Sequence, residues 1–529
     1  MVELGFASLI GGLIAFAYGA GAALYGGVRR DRRWVDSARR SVYAAAVLLT
    51  VCVVVLEAAF LRSDFSVELV ADHSSTTTPT FYKVTAMWGS QGGSLLLWAW
   101  ILSLASSGAL FVTRNRHREV VPWATAVLCG LGVFFAGLML LAGGANPFAR
   151  LNPVPAEGIG LNPLLRHPAM AFHPPMLYSG YVLFSIPFAF AIGALVARRL
   201  DASWIRSTRR FALLAWIFLS VGIMLGSGWS YMELGWGGYW GWDPVENASL
   251  MPWLVGTAFL HSIMVQERRG MLRVWNVSLI IATFVLALTG TLLVRSGILQ
   301  SVHAFGASTL GIPFLLLITV VLAGSVALVV RRAPELRSKG RLDSALSREA
   351  VFLFNNVALV GICFVVFWGT FFPLISKAIT GTEASVGTPW FETYTTPIAL
   401  ALVLLTGLGP LLAWRRMTRA AVGRALRAPL AGTALLALLL VLLTPAETRP
   451  TALAMFLLVG FVVLAVGQEF VRGAAVVRRL NGGGWGRALL RLVGRNQRRY
   501  VGYIAHLGIV VLFLGAAASS SFVARQDAR

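Results

Sequence analysis

Between two apolar stretches the chain reads Gly228-Trp229-Ser230-Tyr231-Met232-Glu233-Leu234-Gly235-Trp236-Gly237-Gly238-Tyr239-Trp240-Gly241-Trp242-Asp243-Pro244-Val245-Glu246-Asn247. Glycine interleaved with tryptophan lets a backbone approach a flat ligand while indoles cover its faces. A porphyrin is such a ligand. Tryptophan also favours membrane interfaces, but an aromatic belt needs scattered indoles rather than this density. Trp236, Trp240, Trp242, Asp243 and Glu246 are the candidate catalytic residues of this segment.

Histidines supply the second clue. His173, in Ala171-Phe172-His173-Pro174-Pro175, and His303, in Gln300-Ser301-Val302-His303-Ala304-Phe305, bracket the Trp-rich segment. Two neutral imidazoles on opposite faces of a ring would make a bis-His haem site. His261 and His506 instead lie inside apolar runs, where an ionisable residue is expensive and a functional candidate by default. Helix rise places His261 roughly 16 Å below one end of its span and His506 roughly 9 Å above the other end of its own. In a hydrocarbon core of about 30 Å their depths then differ by about 5 Å. That suits the axial ligands of a buried b-type haem. Two unrelated hydrogen-bonded histidines, or a proton relay, are the alternatives. Arg295 stands two turns before His303 and is expected to pair with a haem propionate, or with Asp243 or Glu246; snorkelling to headgroups is the ordinary alternative. His117 reads as an anchor in a basic loop. His73 and His167 have no convincing partner, although His167 is close in sequence to His173.

These residues need apolar elements to carry them. The chain has 529 residues, 57% hydrophobic and 13% charged, with a mean hydropathy of +0.74. Lipid must be the solvent for most of that surface. Runs of roughly 20 apolar residues occur near 3–27, 41–62, 92–113, 121–144, 174–197, 211–230, 250–266, 274–297, 310–330, 351–373, 395–414, 428–447, 451–471 and 500–522. The expected fold is all-α, a single polytopic transmembrane domain over 1–529 with about fourteen helices. The first run is too long for a signal-peptide core and lacks a basic lead-in, so it reads as a retained helix.

The net charge of +23 does not point to nucleic acid, because the arginines sit in short loops rather than on one face. Those loops alternate strictly with arginine-poor ones, the positive-inside pattern. Both termini are therefore expected outside. The outer loops are then 63–91, 145–173, 228–249, 298–309, 374–394 and 444–450, and nearly all the unusual residues fall there. Cys52, Cys129 and Cys363 show no CxxC or CxxCH spacing, so neither a disulfide framework nor covalently held haem is expected.

The run Trp236-Gly-Gly-Tyr-Trp-Gly-Trp-Asp-Pro-Val-Glu-Asn247 resembles the WWD signature of haem-handling proteins in cytochrome c maturation. Leu161-Asn-Pro-Leu-Leu165, His173-Pro-Pro-Met-Leu-Tyr178, Leu293-Val-Arg-Ser-Gly297, Ser301-Val-His-Ala-Phe305, Ser347-Arg-Glu349 with Asn355-Asn356, and Arg498-Arg-Tyr500 leading to His506-Leu-Gly508 resemble its CcmF branch. The likeness runs from about residue 80 to 510. It implies a cytochrome c haem lyase of the System I pathway in the bacterial inner membrane, active on the extracytoplasmic face. Such proteins take haem from the chaperone CcmE and join its vinyl groups to the CxxCH thiols of apocytochrome c, which CcmH presents with or without CcmI. Carried over by position, His173 and His303 would ligate the incoming haem, a transient substrate. His261 and His506 would ligate a resident haem b that reduces it with electrons from quinol.

Family members commonly carry an acidic residue where Gly92 stands in Trp88-Gly-Ser-Gln-Gly-Gly-Ser-Leu-Leu-Leu-Trp98. They usually continue, past the position where this chain stops, through a soluble outer domain to one more span. The nearest rival is a haem exporter or delivery protein of the same superfamily without ligation chemistry, of the CcmC type; a CcsBA-type synthetase, which shares the four-His logic, is also close. An NrfE-type paralogue for unusual haem motifs also shares these features. A secondary transporter would need Gly- or Pro-broken helices in matched halves, which the sequence does not display.

Overall fold

The computed structural model describes residues 1–234, 238–301, 310–338 and 340–522. Among them no strand forms, and fourteen helical runs are long and apolar enough to cross a membrane. They coincide with the fourteen expected runs. Most extend further, because a helix continues through its charged flanks until a cap stops it. α1 (Val2–Arg29) ends where Arg30 turns left-handed at φ 56°, and α2 (Arg32–Arg62) starts on Asp31, whose side chain accepts from Arg33 N at 2.8 Å.

The single transmembrane domain expected from the sequence divides into two compact units, Met1–Lys339 with Val366–Thr388, and Gly340–Val365 with Pro389–Arg529. After α1 and α2 the first unit holds two short helices, α3 (Glu68–His73) and α4 (Thr80–Ala86), then α5 (Gln91–Thr113) and α6 (Val121–Leu141). The segment expected as a plain loop over 63–91 is thus partly helical. It is pinned to the 145–173 segment by Glu68 N to Ala149 O at 2.9 Å, Leu151 N to Ser66 O at 3.0 Å and Ile159 N to Ala71 O at 2.7 Å. α7 (Pro168–Leu183) and α8 (Ser185–Val196) form one buried run. α9 (Ser203–Glu233), α10 (Pro244–Arg269), α11 (Arg273–Ser296) and α12 (Gly311–Leu336) follow, and the later part of α13 (Arg348–Thr380) completes the unit.

α7 packs along α9, and two glycines explain how closely. A Cβ on Gly180 would stand 2.8 Å from the Leu219 backbone, and one on Gly222 would stand 2.8 Å from Leu177 N. Neither neighbour can move aside, since both are main chain. In lipid, where apolar burial gives no drive between helices, this backbone approach is what van der Waals packing requires.

The second unit contains the first part of α13, then α14 (Thr388–Leu411), α15 (Arg419–Leu443), α16 (Pro450–Asn481), α17 (Trp485–Arg495) and α18 (Gln497–Ser521). Its Ser347-Arg348-Glu349 motif is a clamp on the end of α14. Arg348 Nε donates to Gly409 O at 3.0 Å and Nη2 to Pro410 O at 2.9 Å, while the Glu349 carboxylate accepts from Arg415 N at 2.8 Å. The two arginine bonds satisfy carbonyls that a helix C-terminus leaves open. Tyr500 and Tyr503 of α18 pack with Val462, Val466 and Leu492 in this unit's core.

Gly222→Val is expected to overpack the α7–α9 crossing at a cost of about 1–3 kcal/mol. Thermal unfolding of the detergent-purified protein should show a clear drop, whereas Gly228→Val, which a Cβ leaves in open space, should show little.

Candidate haem-handling site

The site grows from the α7–α9 crossing. His173 lies inside α7 rather than at its mouth, because Pro168 and the His167 cap start that helix one turn early; His167 Nδ1 accepts from Ala169 N at 3.1 Å. The close approach at Gly222 sets its carbonyl 2.7 Å from His173 Nδ1. A carbonyl only accepts, so the proton is on Nδ1, the tautomer in which an imidazole binds a metal through Nε2. Gly226, one turn further along α9, leaves room for the ring, since its Cβ would come within 2.8 Å of Nδ1. His173 lines a small cleft with Leu177, Gly226, Trp240, Glu246 and Ser249. A second small cleft is lined by Trp88, Leu165, Met170, Pro174 and Tyr178.

The Trp-rich segment is held in place by the helix that follows it. Asp243 caps α10, its Oδ2 accepting from Val245 N at 3.0 Å and from Ser301 Oγ at 2.6 Å. Glu246 reaches back, Oε2 accepting from Gly241 N at 2.8 Å and Asp243 N at 3.2 Å. The pair is a capping box behind Pro244 at the first helical position, each member satisfying donors the helix start leaves open. Trp242 adopts φ 57°, a left-handed conformation that costs a non-glycine residue about 1–2 kcal/mol. Asn247 Nδ2 holds it there through Trp242 O at 2.9 Å and also reaches Thr370 Oγ1 at 3.0 Å. Trp240 and Trp242 stand edge to face, centroids 6.1 Å apart. The carboxylates of Asp243 and Glu246 thus shape the backbone of the loop. Trp236 and His303 lie outside the described residues.

Arg295 is 1% exposed. Its Nη1 donates to Ser94 Oγ at 3.0 Å and Gln91 O at 3.2 Å, and its Nη2 reaches Tyr178 OH at 3.5 Å. The side chain expected to meet a propionate therefore ties α5, α7 and α11 together inside the unit.

His261 is partly buried on α10, and its Nδ1 donates to Thr257 O at 2.8 Å, again leaving Nε2 as the acceptor. Thr257 is itself fixed. Trp216 Nε1 donates to its Oγ1 at 2.8 Å, and Trp253 Nε1 donates to Ser220 Oγ at 2.8 Å. The two indoles stack with centroids 5.9 Å apart, locking α9 to α10 one turn from His261. His506, in the second unit, shares a face of α18 with Tyr503 and Val510 and is partly buried.

The remaining histidines have local partners. His73 Nδ1 bonds Leu69 O at 3.1 Å, and burial pulls its pKa below the ordinary histidine value. His117 Nε2 bonds Ser207 Oγ at 2.5 Å, and burial lowers its pKa too. Among the described residues no three His, Cys, Asp or Glu converge as a metal-holding group, and the three cysteines are buried outside any disulfide. Single oriented imidazoles suit an iron that already carries four ring nitrogens.

Residues 88–300 match the model of the cytochrome C assembly protein family. Cytochrome c-type biogenesis protein CcmF of Pseudomonas aeruginosa is 42% identical over 538 residues, covering 100% of this chain and 78% of that protein. Its counterpart in Escherichia coli K12 is 39% identical over 514 residues, covering 96% of this chain and 76% of that protein. The chain belongs to the CcmF family. A solved structure described as Cytochrome c Heme Lyase CcmF superposes with a TM-score of 0.78 at 30% identity, over 98% of this chain and 77% of that one. NrfE of Haemophilus influenzae is 37% identical over 404 residues, covering 76% of this chain and 63% of that protein. The stretch matched to the family model contains the CcmF-like Trp-rich loop, His173, His261 and Arg295.

Sequence reasoning passed over several residues of this CcmF-family site. Gly222 and Gly226, which seat His173, sit in a helix with no motif to mark them. Trp216 and Trp253 read as ordinary apolar positions.

Glu246→Ala should strand the amides of Gly241 and Asp243 and cost about 1–3 kcal/mol. Thermal unfolding should register the loss, and Glu246→Gln, which keeps an acceptor oxygen, should recover part of it.

Proposed function

We propose that this chain is a cytochrome c haem lyase component that receives haem from a chaperone of the CcmE type and promotes its attachment to the CxxCH motif of apocytochrome c. The reaction takes place at the arginine-poor end of the bundle, on the extracytoplasmic face of the inner membrane. A partner of the CcmH type, with or without CcmI, presents the reduced thiols. Each attachment is an addition: one S–H bond breaks, one C–S bond forms at a vinyl group, and the proton ends on the vinyl's other carbon. The step is redox-neutral and needs no nucleophile from this chain.

The observation that carries this reading is the orientation of His173 over a cleft bordered by the strained Trp-rich loop. An imidazole with Nδ1 fixed on Gly222 O would hold the iron of the substrate haem, and His303 would be its second ligand. Trp240 and Trp242 cover a ring face and exclude water, so vinyls and thiols meet in one geometry. Positioning of this kind is worth several orders of magnitude in rate. Asp243, Glu246 and Asn247 act as positioning residues through the loop, and Arg295 does so by holding α5, α7 and α11 in register.

The donor set also fits a resident haem b. His261, with its Nδ1 proton on Thr257 O, would hold it through Nε2, and His506 would supply the second ligand. When bound, such a group supplies electrons, drawn from quinol, that keep the substrate iron ferrous. The chain's own part is to hold the two imidazoles and to keep water from them.

His173→Gly should reduce covalent haem attachment in a cytochrome c maturation assay by on the order of a hundredfold or more. Added imidazole should restore part of it. Full attachment by His173→Gly without imidazole would instead favour a haem delivery protein with no ligation chemistry.

A further inference from the structure

α17 has no place in the haem chemistry, and its composition is unusual. From Arg472 to Arg499 the chain carries eight arginines and no aspartate or glutamate. Arg499 is paired with Glu469. α17 is an eleven-residue amphipathic helix between α16 and α18, and it buries Ala488 and Leu492 in the core of the second unit. Arg487, Arg491 and Arg495 recur every four residues, so they line one flank and all are exposed. The other flank is apolar and also uncovered: Leu490 is 77% exposed and Trp485 46%. Arg478 stacks over the Trp485 ring, 5.2 Å from its centroid.

An exposed leucine beside exposed arginines is poorly placed in water and equally so in hydrocarbon. Both are satisfied where headgroups meet acyl chains. We infer that α17 is an interfacial helix that binds the phosphate headgroups of anionic phospholipids in the leaflet facing the arginine-rich loops. Trp485 and Leu490 enter the acyl boundary, and Arg487, Arg491 and Arg495 take the headgroups. The bound lipids thereby fix the turn between α16 and α18. The inference stands independently of the haem reading, because it rests on charge and exposure in a segment remote in sequence from every proposed haem ligand but His506.

The test is the unfolding temperature of the purified full chain in neutral detergent, titrated with phosphatidylglycerol or phosphatidylcholine at low and high salt. Phosphatidylglycerol should stabilise the parent and phosphatidylcholine should not, and salt should weaken the response through screening. The triple variant Arg487→Gln/Arg491→Gln/Arg495→Gln should need about a hundredfold more phosphatidylglycerol for the same shift. The corresponding Lys triple variant should respond like the parent. Equal responses to the two lipids, or a Gln triple variant that responds as the parent does, would overturn the inference. If the Gln triple variant fails to fold, a parent response indifferent to salt overturns it alone.

Discussion

A single hydrogen bond, from His173 Nδ1 to the carbonyl of Gly222, organises the arginine-poor end of the first unit. It forms because Gly180 and Gly222 let two helix backbones touch, which no larger residue would permit. The bond fixes the imidazole tautomer and turns Nε2 toward the cleft. His261 repeats the arrangement on Thr257 O. In a medium without water, each imidazole must satisfy one nitrogen internally. Both do so with a backbone carbonyl, through Nδ1.

The surrounding polar groups divide their labour in the same way. Asp243, Glu246 and Asn247 spend their side chains on the backbone of the Trp-rich loop, and Arg295 spends its guanidinium on α5 and α7. None of these needs to touch a reacting atom to matter. They hold Trp242 in a left-handed turn that its own preferences resist. Strain of that kind persists only where the neighbourhood over-determines it. Trp242 is therefore presented from a hydrogen-bonded turn, as a site that works by positioning requires.

Much of this was legible in the sequence, for physical reasons. Fourteen apolar runs of membrane length and the alternation of arginine in the loops leave little freedom in the fold. His173 and the Trp-rich segment stood out because their residue types are costly or rare at those positions. The spacing Asp243-Pro244-Val245-Glu246 is a capping signal readable without a structure. Other features lie between segments distant in sequence. Nothing local predicts that Arg295 finds Ser94, or that Gly222 faces Leu177, since both depend on which helices cross. The short helices over 63–91 escaped because they are stabilised by contacts with 145–173 rather than by their own periodicity. The division into two units likewise follows from packing, which hydropathy does not report.

The most direct measurement is the absorption spectrum, with a pyridine haemochrome assay, of the protein purified in mild detergent from haem-replete cells, beside His261→Ala and His506→Ala. A b-type signal in the parent that collapses in both variants is the predicted result. A parent that carries no haem, or a b-type signal that survives both substitutions, would contradict the assignment of His261 and His506 as ligands of a resident haem.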